Sequence, residues 1–446
     1  TMTTPRQMNL GVFVVATGNH VAGWRHPGAV TSSEDFPAIV NIARIAEGSK
    51  FDFIFFADTP ACMPDDHPGF LLKLEPVTLL ASLAAHTTHL GLVATSSTSY
   101  NEPYNLARQF ASIDKISGGR VAWNVVTSSV RDAALNFGRE DIVDHDKRYE
   151  IAAEFVETVQ GLWDSWEENP LVLNRETGQY YDPSKVHVLD HKGLYYKVRG
   201  PLNLSRSPQG QPVIVQAGSS DTGQAFAARF AEVILTVQHD REEAQKFCAD
   251  VKGMAAKNYD RDPDHIKVMP GFFPIVGDTD EDARRKLNDL MKYVDSTSAL
   301  RTMSERYGHD MSQYPLDGPV PDLPLSQTSQ GYTRVLLAKA KRENYTLRDL
   351  YNNMAVARGY IVACGSVKTV ADMMEEWFTS RACDGFIITP AYFPDALIEF
   401  NQTVVPELQR RGLFRTEYRG KTLRDNLGLP IPENRYARAR NMSAAE

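Results

Sequence analysis

Asp144, His145, Arg148 and Tyr149 stand together where a long amphipathic run begins, so a carboxylate, an imidazole, a guanidinium and a phenol gather at an expected helix start. Just upstream, Val121 to Val126 is a short apolar run that breaks into Thr127, Ser128 and Ser129, the pattern of a buried strand feeding a polar loop. Such a place suits a phosphorylated, hydrogen-bonding ligand. An ordinary strand, loop and helix whose polar residues cap the helix explains the stretch equally well. Gly218-Ser219-Ser220 is a second place of this kind, between the run Pro212 to Gln216 and the helical pattern Thr222 to Ala231. Backbone N–H groups at a helix N-terminus and two hydroxyls there can receive a dianion, and Arg148 and Tyr149 could close over it. A plain serine N-cap accounts for that motif too.

These groups act together only if a scaffold brings strand ends to one mouth. Apolar runs at Met8–Thr17, Phe51–Ala57, Leu90–Ala94, Val121–Val126, Pro212–Gln216, Val233–Val237, Lys267–Val276 and Gly385–Thr389 read as strands. They alternate with helical patterns such as Phe36–Gly48, Pro103–Ile116, His145–Trp166, Glu242–Lys257, Val367–Thr379 and Ala396–Arg411. Apolar strands alternating with helices imply parallel pairing with the helices outside. The expectation is an α/β fold, a (β/α)8 TIM barrel forming one domain over residues 1–446. Two insertions follow strands four and seven. The first, 167–211, is polar with a hairpin near His187 to Val198; the second, 278–358, sets charged helices around a Pro- and Ser-rich loop, the place of a lid. A C-terminal extension runs over 412–446. The alternative, an open doubly wound sheet, normally carries a glycine fingerprint after its first strand, which is missing here.

In such a barrel the residues just past each strand converge: His20, Asp58, Thr95 to Ser99, Thr127 to Ser129, Gly218 to Ser220, and Pro390 onward. One carboxylate among them leaves a glycosidase without its pair. No His/Asp group has metal spacing, so no metal is expected. The four cysteines, Cys62, Cys248, Cys364 and Cys383, form no CxxC pair and should be reduced and mostly buried. Hydroxyls, amides, one histidine and apolar walls remain, which suits a cofactor that does the chemistry itself. There is no GxGxxG or GxSxG, and Gly420-Lys421-Thr422 lacks the upstream glycine of a P-loop because Arg415 stands there. A net charge of −8 argues against nucleic acid or an anionic membrane as partner. No apolar run approaches the roughly 20 residues of a membrane span, and Gly11 to Ala16 is too short for a signal segment, so a cytoplasmic protein is expected.

The stretches GGRVAWNVVTS (118–128), ALNFGR (134–139), DHDKRYE (144–150), RSPQGQPVIVQAGSS (206–220) and PELQRRGLFRTEYRGKTLRDNLGLP (406–430) resemble the flavin-dependent monooxygenase family of nitrilotriacetate monooxygenase component A and dibenzothiophene sulfone monooxygenase, in the bacterial-luciferase-like superfamily. QMNLGVF (7–13), GWRHP (23–27) and FIFFAD (53–58) fit the same pattern. The resemblance implies a barrel that binds reduced FMN delivered by a separate NAD(P)H:flavin reductase and uses O2 to oxygenate a small organic substrate. It implies that Asp58, Thr95 and Thr98 lie beside the isoalloxazine, that His145 and Tyr149 hold the ribityl-phosphate chain, and that Ser219 and Ser220 take the phosphate, with His20 in the substrate-side pocket. His20 is the one strand-end group whose ordinary pKa lies near neutrality, so it is expected to be the catalytic proton donor or positioning group. Relatives acting on neutral sulfur heterocycles have a histidine shortly before the Tyr314 to Asp317 motif, where this chain has Arg306, with Arg301 and His309 nearby. Arg306 and His309 would suit a substrate carboxylate, which points to a carboxylated amine or thioether cleaved at C–N or C–S. The same arginines also fit as solvated residues of a charged helix. A sulfone or alkyl-sulfur monooxygenase, a deazaflavin-dependent oxidoreductase and a non-catalytic flavin-binding protein are the alternatives. The apolar tail suggests a homodimer or homotetramer.

Overall fold

The computed structural model describes residues 5–63, 67–218, 220–322 and 330–446. Its strands are β1 (Asn9–Phe13), β2 (Phe53–Phe56), β3 (Gly91–Ser97), β4 (Val121–Val126), β5 (His191–Lys192), β6 (Lys197–Val198), β7 (Val213–Gln216), β8 (Val233–Thr236), β9 (Lys267–Gly277), β10 (Ile361–Ser366) and β11 (Gly385–Ile388). The main sheet runs β10-β9-β11-β1-β2-β3-β4-β7-β8, and β8 pairs back on β9. Without β10 this is a closed ring of the eight strands expected from sequence, the (β/α)8 TIM barrel. By their contacts the residues group into two units, 1–56, 60–75 and 216–418 in one, and 57–59, 76–215 and 419–446 in the other.

In the first unit, β1 lies parallel to β11 (Leu10↔Phe386) and to β2 (Val12↔Ile54). All residues of β1, β2, β8 and β11 are buried, as unbroken apolar strands require. Gly11 is needed there, since a Cβ would come within 2.5 Å of the Phe53 ring. The long β9 pairs successively with β8 (Val233↔Lys267), β11 (Ile388↔Phe272) and β10 (Ile361↔Phe272). The helix Phe36–Gly48 starts where Asp35 accepts the Ala38 N–H and buries Ile39, Ile42, Ala43 and Ala46. The helix Val367–Thr379 is capped in the same way by Ser366.

β10 is an additional strand, outside the expected ring of eight. Its residues alternate between buried and half-buried, it pairs with one neighbour only, and its last residue already caps the next helix, so it lacks the continuous apolar run of the ring strands. The first strand is also shorter than expected, ending at Phe13. The second insertion carries the helices Asp280–Met291, Ser296–Tyr307, Gln330–Arg342 and Leu347–Ala357, while most of its Pro- and Ser-rich loop (323–329) lies outside the described residues.

In the second unit, β3 and β4 pair in parallel from Leu92↔Val121 to Ser97↔Val126. Arg120 is buried at its base and donates to Ser117 O, Thr87 Oγ1, Leu90 O, Ala84 O and Thr87 O at 2.7 to 3.1 Å, joining two helix ends to a strand. The expected hairpin is present as β5 and β6, paired His191↔Val198. The tail packs on its own chain. Arg424 donates to Gln211 O, Asn434 to Asp164 O, and Leu423 and Leu427 are buried, while Ile431 and Met442 stay exposed. Among the described residues the cysteines are free, with Cys62 exposed rather than buried, and no helix is long and apolar enough to cross a membrane.

Candidate active site

In the second unit the loops leaving β3 and β4 are laced together. Ser97 Oγ and Ser128 Oγ are 2.6 Å apart, Ser128 N–H donates to Ser99 Oγ at 3.2 Å, and Thr98 N–H donates to Val126 O at 3.0 Å. With Tyr100, Arg139 and Arg148, the residues Thr98, Ser99 and Ser128 line a cavity of about 200 Å³. Arg148 comes from the first turn of the helix His145–Trp163. Its Nη1 donates to Val143 O at 2.6 Å, whereas its Nε is buried with no hydrogen-bond partner. Burial pulls the Arg148 pKa down, and Tyr149, Asp144 and Tyr100 act against that pull. Tyr100 stacks on Phe137 at 4.4 Å, burial raises its pKa, and Arg139 lies 5.4 Å from its ring. A buried guanidinium facing hydroxyls in a small cavity is built for a polyol or an anion.

Thr98 and Arg148, expected at the ring and the phosphate of the cofactor respectively, line the same cavity. Thr95 is buried on β3, and its Oγ1 accepts from Asn124 Nδ2 at 2.9 Å. His145 sits beside Asp146 at 3.1 Å with its ring 5.1 Å from Tyr149. Asp58 is half-buried just beyond β2.

In the first unit, Ser220 caps the helix Asp221–Phe230, its Oγ accepting from Gly223 N at 3.0 Å, and Ser219 lies outside the described residues. Arg306 falls in the helix Ser296–Tyr307, but its side chain is outside the described set; His309 follows that helix, half-buried.

His20 has no exposed surface. Its Nδ1 accepts the Ala22 N–H at 3.0 Å, which leaves the proton on Nε2, 3.5 Å from Met291 Sδ. Burial lowers its pKa to about 4, so the ring is neutral at pH 7. The expectation of a group titrating near neutrality is therefore corrected by desolvation, and what His20 offers is a neutral N–H.

Three residues of this region were missed in the sequence: Asn19, His67 and Arg358. Asn19 Nδ2 donates to Phe13 O and Pro390 O, both at 3.1 Å, which turns its Oδ1 towards Arg358 Nη2 at 2.7 Å. His67 Nε2 donates to Asn19 O at 3.2 Å while its Nδ1 accepts from Gly69 N at 3.0 Å. Burial, and then the Arg358 charge, lower the His67 pKa to about 3. The Arg358 guanidinium is ringed by Phe13, Phe70 and Tyr360 at 5.0, 5.1 and 5.5 Å. Asn19 adjoins the expected His20 and was the one readable signal. Among the described residues no group of three metal-ligating side chains occurs.

Comparison with known proteins identifies the family. The profile of the luciferase-like monooxygenase family matches residues 10–384. Over 437 residues the chain is 48% identical to N-acetyl-S-(2-succino)cysteine monooxygenase of Bacillus subtilis (strain 168), covering 97% of this chain and 99% of that protein. It is 44% identical over 448 residues to nitrilotriacetate monooxygenase component A of Aminobacter aminovorans, with the same shares covered. The crystal structure of a long-chain alkane monooxygenase superposes with a TM-score of 0.83 at 32% identity, covering 98% of this chain and 99% of that one. The chain belongs to the luciferase-like monooxygenase family and is a monooxygenase.

Proposed function

We propose that the chain is the oxygenase component of a two-component system, taking reduced FMN from a separate NAD(P)H:flavin reductase and using O2 to oxygenate a carboxylated amine or thioether, with C–N or C–S cleavage. The observation that carries the cofactor reading is the buried Arg148, with its unanswered Nε, in a cavity lined by Thr98, Ser99 and Ser128. That donor set fits the ribityl-phosphate end of a flavin mononucleotide. His145, Tyr149, Ser219 and Ser220 would hold the same chain, and Asp58 and Thr95 would lie beside the ring system. Bound reduced flavin supplies the electrons that activate O2.

The protein's own part is to bind, orient and keep the site dry. The buried apolar strand residues would keep the site dry. His20, neutral, fixed through Nδ1 and with its Nε2–H turned to Met291 Sδ, would act as a positioning residue that holds the loop after β1, since an imidazolium donor is not populated at neutral pH. Arg306 and His309 stand in the insertion as candidate substrate contacts. The two relatives at 48% and 44% identity bear the names of polycarboxylated compounds, which favours an acidic substrate over a neutral sulfone. The test is turnover of a panel of aminopolycarboxylates, succinylated thioethers and sulfones with NADH, FMN and O2, with and without a flavin reductase. Product should form only with the reductase and from the acidic substrates. Turnover without flavin, or of the sulfones alone, contradicts the proposal.

A further inference from the structure

We infer that Arg358, aimed by Asn19, is the carboxylate anchor of the substrate pocket. The inference rests on the proposed function and sharpens it, because it names the residue that selects an acidic substrate.

Position is the first argument. The main-chain N–H groups of Asn19 and His20 bond to Pro390 O and Ala391 O, just past the end of β11, and Asn19 is itself tied to Phe13, the last residue of β1. Arg358 is bound to Asn19 and precedes β10, whose first residue pairs with Phe272 beside the end of β11. The guanidinium therefore lies at the C-terminal ends of the strands, next to His20, where barrel enzymes bind substrate.

Orientation is the second. The Asn19 amide spends both N–H groups on main-chain carbonyls, so its oxygen has a fixed direction and holds one end of the guanidinium. The aromatic rings of Phe13, Phe70 and Tyr360 surround it with low-dielectric walls, in which a charge-assisted pair with a carboxylate gains strength. A planar fork prepared in this way matches a carboxylate in bidentate fashion.

Accessibility is the third. Arg120, Arg206, Arg415 and Arg424 have buried side chains and serve structure: Arg206 pairs with Asp164 and Arg415 with Asp52, while Arg120 and Arg424 bond to main-chain carbonyls. Arg358 is partly exposed above a floor made by the fully buried His20 and the buried His67. The Arg358 charge, after burial, disfavours protonation of His67, which places the guanidinium close to that ring. The backbone adds a fourth point. Arg358 has φ +48°, a left-handed conformation that favours glycine or asparagine, so the main chain is strained at this residue.

The experiment is a calorimetric titration of the purified, flavin-free protein with N-acetyl-S-(2-succino)cysteine, nitrilotriacetate and the methyl esters of both, repeated on R358Q and R358K. Wild type should bind an acid and reject its ester. R358Q should weaken binding of the acid by about 30-fold or more and erase the discrimination, and R358K, which keeps the charge but loses the fork, should fall between. In reductase-fed turnover the same variants should raise KM far more than they lower kcat. Circular dichroism and FMN titration check that each variant folds, and if R358Q does not, R358K decides. Acid binding by R358Q or R358K at wild-type strength, or equal binding of acid and ester by wild type, overturns the assignment. Because the titration needs no turnover, it decides this inference even if reductase-dependent product formation fails and the proposed function with it.

Discussion

Replacing Arg148 by methionine removes the one buried cation whose Nε has no partner in the small cavity beyond β3 and β4, while nearly keeping its volume. If that guanidinium meets the ribityl-phosphate chain of FMN, one or two charge-assisted hydrogen bonds are lost. Each contributes about 1.5 to 3 kcal/mol, so the FMN dissociation constant should rise from about 10-fold for one weak bond to about 10,000-fold or more for two strong ones. A second effect must be separated from this one. Arg148 Nη1 also bonds to Val143 O, and freeing that carbonyl should lower fold stability by about 1 to 3 kcal/mol. Quenching of flavin fluorescence measures affinity and urea denaturation measures stability, so the two losses are read independently. Riboflavin, which lacks the phosphate, locates the contact: a wild-type preference for FMN that collapses in R148M places Arg148 at the phosphate, and a preserved preference places it at the ribityl hydroxyls. An unchanged FMN dissociation constant in a stably folded R148M refutes the reasoning.

The other expectations concern stability. His20 and His67 have pKa values lowered to about 4 and about 3, so the stability they confer as neutral rings is whole above pH 6.5 and is lost as pH falls towards 4 and 3. Acid denaturation should begin below pH 6, and H67Q should shift its midpoint to lower pH. Asp114 has the opposite sign. Burial raises its pKa to about 6, so stability present below the ordinary carboxylate value is lost as pH rises through 6, by up to about 3 kcal/mol. D114N, which can still accept from Val121 N–H and Gln209, should flatten urea-midpoint curves between pH 4 and 6. R120M strands the carbonyls of Ala84, Leu90 and Ser117 and should lower stability by about 3 to 5 kcal/mol, whereas R415M leaves Asp52 a buried, unpaired charge at a similar cost. Denaturation midpoints unchanged within about 0.5 kcal/mol would contradict either.

The ring strands were legible in the sequence because they are buried on both faces and so are almost wholly apolar, as Phe53 to Phe56 is without interruption and Val121 to Val126 is but for Asn124. β10 was not, because half of its residues are only partly buried and it has one pairing partner. The strand-end rule picked out Thr98, Ser99 and Ser128, which line one cavity, since position past a strand can be read without knowing contacts, whereas Arg148 was singled out as part of a polar helix start. Asn19 and Arg358 escaped for the converse reason. Asn19 acquires its role by bridging Phe13 and Pro390, which are far apart in sequence, and Arg358 lies at the edge of a charged insertion where arginine is unremarked. The state of His20 was likewise hidden, because burial by Met291 and Phe273 rather than residue type sets its pKa.

The most direct measurement is a single turnover of N-acetyl-S-(2-succino)cysteine with chemically reduced FMN and isotopically labelled O2, followed by mass spectrometry of the product. The account predicts product that carries one labelled oxygen atom, and none when O2 or reduced FMN is left out. Unlabelled product, or product formed without O2, contradicts it.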